Sequence, residues 1–242
     1  MTAPDREFCT LYPRFLETTE TIPSRSRLNG RWHAIIEWNA PILTGRRVMD
    51  LGCHDGRWSF GALESGAAHV HGVEGRAHLV AKARENFRHY GVSAGRYALE
   101  AGDAIEALRA VKPGDVDVLM CLGFFYHTME HMRLLLEAAR IGVDYLIIDT
   151  ALSPGNEPVI VVASESVDDT RNSIDYGLAD RANALVGIPS HSALMAMLDY
   201  ADFAPEFFDW DREHRGDWTD LHDYAQHSRV TLRARRRGRG PG

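Results

Sequence analysis

Apolar positions recur along this chain in two rhythms: short continuous runs, and longer stretches in which they return every third or fourth residue. Val48-Met49, Ala67 to Val73, Ala98 to Glu100, Val116 to Leu122 and Tyr145 to Thr150 follow the first rhythm and predict buried strands. Arg31 to Ile42, Trp58 to Glu64, Ala77 to Tyr90, Ile105 to Val111, Met129 to Gly142 and Ser190 to Tyr200 follow the second and predict helices. Trp32, Ile35, Ile36 and Trp38 supply the core face of the first of these, ahead of Pro41 and the turn Thr44-Gly45. Strand alternating with helix implies an α/β domain built on a mostly parallel sheet with helices on both faces. Arg229 to Ala234 alternates as a last strand. The domain is thus expected at 31–235, after an N-terminal extension or lid at 1–30 with a helical piece at Leu11 to Thr18. An irregular acceptor-side insertion is expected at 153–187, and the Arg- and Gly-rich residues 236–242 have no apolar anchor and read as a disordered tail.

The strand at Val48-Met49 runs into Asp50-Leu-Gly-Cys-His-Asp-Gly56, a glycine turn that opens the next helix. A glycine lets the backbone approach a ligand closely. The spacing is not the G-x-G-x-x-G of a dinucleotide site, and a leading carboxylate repels phosphate but suits a cation such as the ammonium of an amino acid near a sulfonium. The second strand ends at Glu74, where a carboxylate accepts both ribose hydroxyl protons. These residues resemble the first motif and second-strand acid of the class I S-adenosylmethionine (SAM) methyltransferases. The resemblance implies that Asp50, Gly52 and Gly56 surround the methionine portion of SAM, that Glu74 binds the ribose, and that Asp103 in Ala101-Gly-Asp-Ala104 approaches the adenine amino group. Cys53, His54, Gly75, Gly102, Ala104 and Leu122 complete the expected cofactor site. His54 stands where that motif usually has its middle glycine, so a side chain must project from the turn.

Composition narrows the setting. Forty-five per cent of the 242 residues are apolar, enough to bury a full sheet. The formal charge of −7 disfavours a broad nucleic-acid surface, which needs clustered Lys and Arg, without excluding a local patch for tRNA. Cys9, Cys53 and Cys121 are scattered and form no C-x-x-C pair, so no disulfide framework or zinc site is indicated and a reducing cytoplasm fits. No stretch reaches membrane-spanning length, and a homodimer is compatible with the chain.

A second resemblance runs from about Trp32 to Arg235. Leu122-Gly-Phe-Phe-Tyr-His-Thr128, Asp149-Thr150, Gly187-Ile-Pro-Ser190 and Ser228-Arg-Val-Thr-Leu-Arg-Ala234 are similar to the bacterial tRNA wobble-uridine carboxymethyltransferases. This implies that Tyr126 and Arg229 help hold a carboxylated SAM. The basic Arg-Lys-Gly-Pro stretch which that family carries upstream of the first strand is missing. The segment VMDLGCHDGRWSF has a looser likeness to actinobacterial natural-product and polysaccharide methyltransferases.

Methyl transfer to oxygen needs an aligned acceptor and a base. His127, just past the central strand, is the candidate base, with Tyr126 and Asp149 beside it as further catalytic candidates. Tyr126, His191 and Arg229 are candidate acceptor contacts, and Glu165 is a further contributor. Mg²⁺ is an open possibility, with Asp149, Glu165, Asp168 and Asp169 as available acids but no spacing that unites them. The expected reaction is O-methylation by SAM of a small hydroxylated acceptor such as a saccharide. The acid and aromatic cluster Asp209 to Trp218 adds to the saccharide reading. Carboxymethylation of tRNA and a non-catalytic SAM-binding role are the alternatives.

Overall fold

Seven strands form one sheet in the order β3-β2-β1-β4-β5-β9-β8 in a computed structural model that describes residues 7–169, 172, 182–214 and 216–238. The strands are β1 (Arg47–Leu51), β2 (His69–Glu74), β3 (Tyr97–Ala101), β4 (Val118–Leu122), β5 (Tyr145–Ala151), β8 (Phe203–Phe207) and β9 (Arg229–Arg236). The first five are parallel, whereas β9 inserts antiparallel beside β5 and β8 pairs antiparallel with β9. Between β5 and β8 a separate antiparallel hairpin, β6 (Ile160–Ser166) with β7 (Asn183–Pro189), fills the expected insertion. This is the Rossmann-like architecture that the alternation predicts. β9 continues through Arg236, and 239–242 of the expected tail lie outside the described residues.

Helices α1 (Phe8–Leu11), α2 (Arg14–Thr18), α3 (Arg25–Trp32) and α4 (Ala40–Leu43) precede β1. The helical stretch expected at Arg31 to Ile42 begins earlier and breaks, because His33–Glu37 winds as a wider π turn. Asn39, wholly buried, donates to the Ala34 and Ile35 carbonyls and so satisfies groups that the widened turn frees. Phe8 and Phe15 are fully buried beside Trp32 and Phe60, so the N-terminal extension is part of the core.

The crossover helices are α5 (Arg57–Glu64), α6 (Ala77–His89), α7 (Ala104–Ala110) and α8 (His131–Ile141), followed by α9 (His191–Tyr200) and the short α10 (Trp210–Glu213) and α11 (His222–Ala225). The parallel strands β1 to β5 have their C-terminal ends on one side, where a ligand site forms in such sheets. Gly56 caps α5 with φ +81°, and a Cβ there would come within 2.9 Å of Phe87 and 3.0 Å of Ala83. Its glycine is therefore demanded by the packing of α5 on α6. No helix of the described residues is long and apolar enough to cross a membrane.

Candidate functional site

A cavity of about 420 Å³ opens over the C-terminal ends of β1, β2 and β4. That volume accommodates one cofactor-sized ligand. One half is made by the glycine turn and β2. Gly52 forms the floor with φ +71°, where a Cβ would press on the Phe124 ring at 3.4 Å. His54 follows with φ +53°, an uncommon backbone state for a residue with a side chain, and its ring lines the cavity. The Glu74 carboxylate accepts the His54 backbone N–H at 3.0 Å through Oε2 and the Arg76 N–H at 2.9 Å through Oε1. Its position is thereby fixed while lone pairs remain for a hydroxylated ligand. Gly75, Ala104 and Leu122 also line this half.

Several expected cofactor residues lie elsewhere, each for a local reason. Asp50 is buried under the turn, where it accepts the Ser59 hydroxyl at 2.6 Å, and burial pushes its carboxyl up to about 7. Asp103 caps α7 through Oδ1, which accepts the Ile105 and Glu106 N–H groups, and it does not line the cavity. Cys53 packs in the core against Gly72, and neither Gly56 nor Gly102 reaches the cavity.

The other half lies beyond the β4 exit. A short turn, Phe125–His127, places Tyr126 and His127 on the wall. His127 Nδ1 donates to Glu165 Oε2 at 2.7 Å, the carboxylate coming from β6 of the hairpin. A carboxylate can only accept there, so the proton sits on Nδ1 and Nε2 is left as the basic nitrogen. Arg76 ties the hairpin down by donating to the backbone carbonyls of Val167, Asp169 and Asn172.

Behind Tyr126 lies a buried polar cluster. Asp149, fully buried at the β5 exit, accepts from Arg31 Nη2 at 3.0 Å, Arg229 Nε at 2.7 Å, the Tyr224 hydroxyl at 2.8 Å and the Thr231 hydroxyl at 2.7 Å. Thr231 is its cross-strand partner on β9, which explains that contact. Burial alone would raise the Asp149 carboxyl, but Arg229 and Arg31 outweigh it and hold the group well below the usual carboxylate range. Asp149 therefore anchors the arginines and is not exposed to an acceptor. Arg229 also lies over the Tyr126 ring, 5.2 Å from its centroid.

His191 stands apart. At the start of α9 its ring packs on Phe207 at 5.3 Å, outside the cavity. The aromatic cluster after Asp209 is likewise elsewhere, with Trp210 buried against Tyr224 at 4.0 Å in a separate small core. Among the described residues no three His, Cys, Asp or Glu side chains are grouped to hold a metal, and the four acids considered for Mg²⁺ do not converge. The unforeseen wall residues are Arg27 and Arg31 of α3, Arg57 and Trp58 of α5, and Arg76. Arg27 and Arg31 are four apart on a helix that also buries Leu28 and Trp32, a pairing of basic and apolar positions on one face that marks them as inward.

Residues 48–142 match the methyltransferase-domain family. The tRNA U34 carboxymethyltransferase of Helicobacter acinonychis is 29% identical over 140 residues, covering 53% of this chain and 53% of that protein. The same enzyme of Shewanella woodyi is 26% identical over 186 residues, covering 75% of this chain and 51% of that protein. The chain thus spans about half the length of the curated relatives it matches. In fold it is similar to the N-terminal domain of EvdMO1, solved in the presence of SAH and D-fucose, with a TM-score of 0.62, 17% identity, and coverage of 86% of this chain and 83% of that one. Residues 48–142 thus carry a methyltransferase domain, and the sheet order and glycine turn are those of the class I SAM-dependent methyltransferase fold.

Proposed function

We propose that the protein transfers the methyl group of SAM to a hydroxyl of a small acceptor, a saccharide being the favoured class. The residues present fit the cofactor: Gly52 leaves the floor bare where a Cβ would crowd Phe124, and Glu74 offers an ordered carboxylate for the ribose. Bound there, SAM supplies an electrophilic methyl on a sulfonium. The observation that carries oxygen as the acceptor atom is the His127–Glu165 pair on the cavity wall. Glu165 fixes the ring and its tautomer, and it stabilises the imidazolium that forms when Nε2 takes the hydroxyl proton. The D-fucose present with EvdMO1 adds support for a sugar.

Turnover measured on methylatable sugars tests the reading. His127→Ala should lower kcat by about 10²–10⁴ with little change in SAH affinity. Unchanged kcat would remove the base and with it the case for oxygen. A second reading, carboxymethyl transfer to a tRNA wobble uridine, is favoured by the curated relatives and by Arg229 seated on Tyr126. Arg31 supplies a further cation there, where the upstream basic stretch is missing. Calorimetric preference for carboxylated SAM over SAM would decide for it.

A further inference from the structure

Around Asp149 the charges do not balance. Arg27 is matched by Asp223, whose two oxygens accept both of its terminal nitrogens at 2.8 Å. Arg31 and Arg229 share Asp149, whose second oxygen is taken by Tyr224 and Thr231, and Arg229 also lies 4.0 Å from the Asp223 carboxylate already engaged by Arg27. Among the described residues the cluster therefore holds three guanidiniums against two carboxylates. The next pair outward, Arg57 with Asp55, is already balanced at 2.9 Å, and Glu165 on the hairpin wall is engaged by His127. Arg31 and Arg229 are only 7% and 6% exposed, yet both face the cavity. A buried guanidinium short of counter-charge is expensive, and an anionic ligand entering the cavity would supply what the described residues lack.

Position says which ligand. Glu74 and Gly52 put the cofactor's ribose and its neighbourhood over β1 and β2, whereas Arg31 and Arg229 converge on the β5 and β9 side, past Tyr126 and His127. We propose that the Arg31–Arg229 wall is a carboxylate subsite for the acceptor, so that the methylated molecule is a hydroxy acid such as a sugar acid. The inference rests on the hydroxyl-methylation reading and names its substrate class. A carboxylate matches the single surplus charge and the planar guanidinium fork, and a phosphate dianion would overshoot it.

The test is thermal stability of the SAH-saturated protein at constant ionic strength. D-glucuronate is compared with D-glucose, and glycolate with ethylene glycol, in wild type and in Arg31→Met, which keeps the apolar stem beside Trp58 and leaves Asp149 and Arg229 as a balanced pair. The acids should raise Tm by several degrees over their neutral partners in wild type and not in the variant. Arg31→Met should be as stable as wild type, or more so, when no acid is present. Equal responses to acid and neutral partner would overturn the subsite, and a stronger response to inorganic phosphate would overturn the carboxylate assignment. A tenfold loss of SAH affinity in Arg31→Met would place the cofactor's own carboxylate there, and an Arg31-dependent preference for carboxylated SAM would place the extra carboxylate of that cofactor there. Either result overturns the acceptor assignment. None of these readouts depends on turnover, so failure of the base assignment is seen separately through His127→Ala.

Discussion

The two halves of the cavity are built in opposite ways. Over β1 and β2 the surface is mostly backbone: a glycine turn, a left-handed histidine, and one acid held by two N–H groups, all within a short stretch of chain. Over β4 and β5 it is side chain, with Arg31 from α3 and Arg229 from β9 on the wall, held from behind by Asp149 of β5 and Tyr224 of α11. A backbone cradle tolerates substitution around it but not at its tight points. A side-chain cluster depends on its carboxylates, because two of them hold three guanidiniums together.

The largest effect expected from breaking this contrast is Asp149→Asn. It leaves Arg31 and Arg229 facing one another without a counter-charge, and urea unfolding should show a loss of about 3–5 kcal/mol. Gly56→Ala breaks the other half, through a left-handed backbone and a collision with Phe87 and Ala83. A cost of about 2–4 kcal/mol should appear in the same measurement, with SAH binding retained at temperatures where the variant stays folded.

Asp50→Asn is the smallest and the most diagnostic. Its carboxyl is raised by burial to about 7, above its ordinary value of 3.8, so the folded state holds a proton that the unfolded chain releases. This group favours folding below pH 4 and penalises it progressively as pH climbs towards 7 and beyond. Asp50→Asn should therefore match wild type near pH 4 and exceed it by on the order of 1–2 kcal/mol at pH 8. A stability gap that did not widen with pH would show that Asp50 is ionised in the fold.

The same contrast explains what the sequence disclosed. β1, β2, β4 and β5 are apolar runs paired on both sides, and their boundaries follow from periodicity to within about two residues. Gly52 and Glu74 were legible because a local spacing encodes them. β8 was not, since Pro205 and Glu206 interrupt its apolar pattern, and it is an edge strand whose proline needs no second partner. β6 and β7 were obscured because Val161, Val162 and Leu185 are exposed on a hairpin paired only with itself. Asp149 was read as a catalytic candidate because nothing local announces that its partners lie more than a hundred residues upstream and some eighty downstream. Asp50 and Asp103 were drawn to the cofactor by resemblance, and nothing local announced that one oxygen of each is engaged by a buried serine or a helix cap.

The placement of β9 also has a consequence in time. A chain made from its N-terminus can pair β1, β2 and β4 and close the glycine turn as soon as Leu122 is available, whereas the strand that carries Arg229 arrives last and must slot between β5 and β8. Until it does, Asp149 and Arg31 have each other but no lid of β structure. A nascent or truncated chain would thus form the glycine turn and the Glu74 anchor well before it completes the Arg31–Asp149–Arg229 cluster.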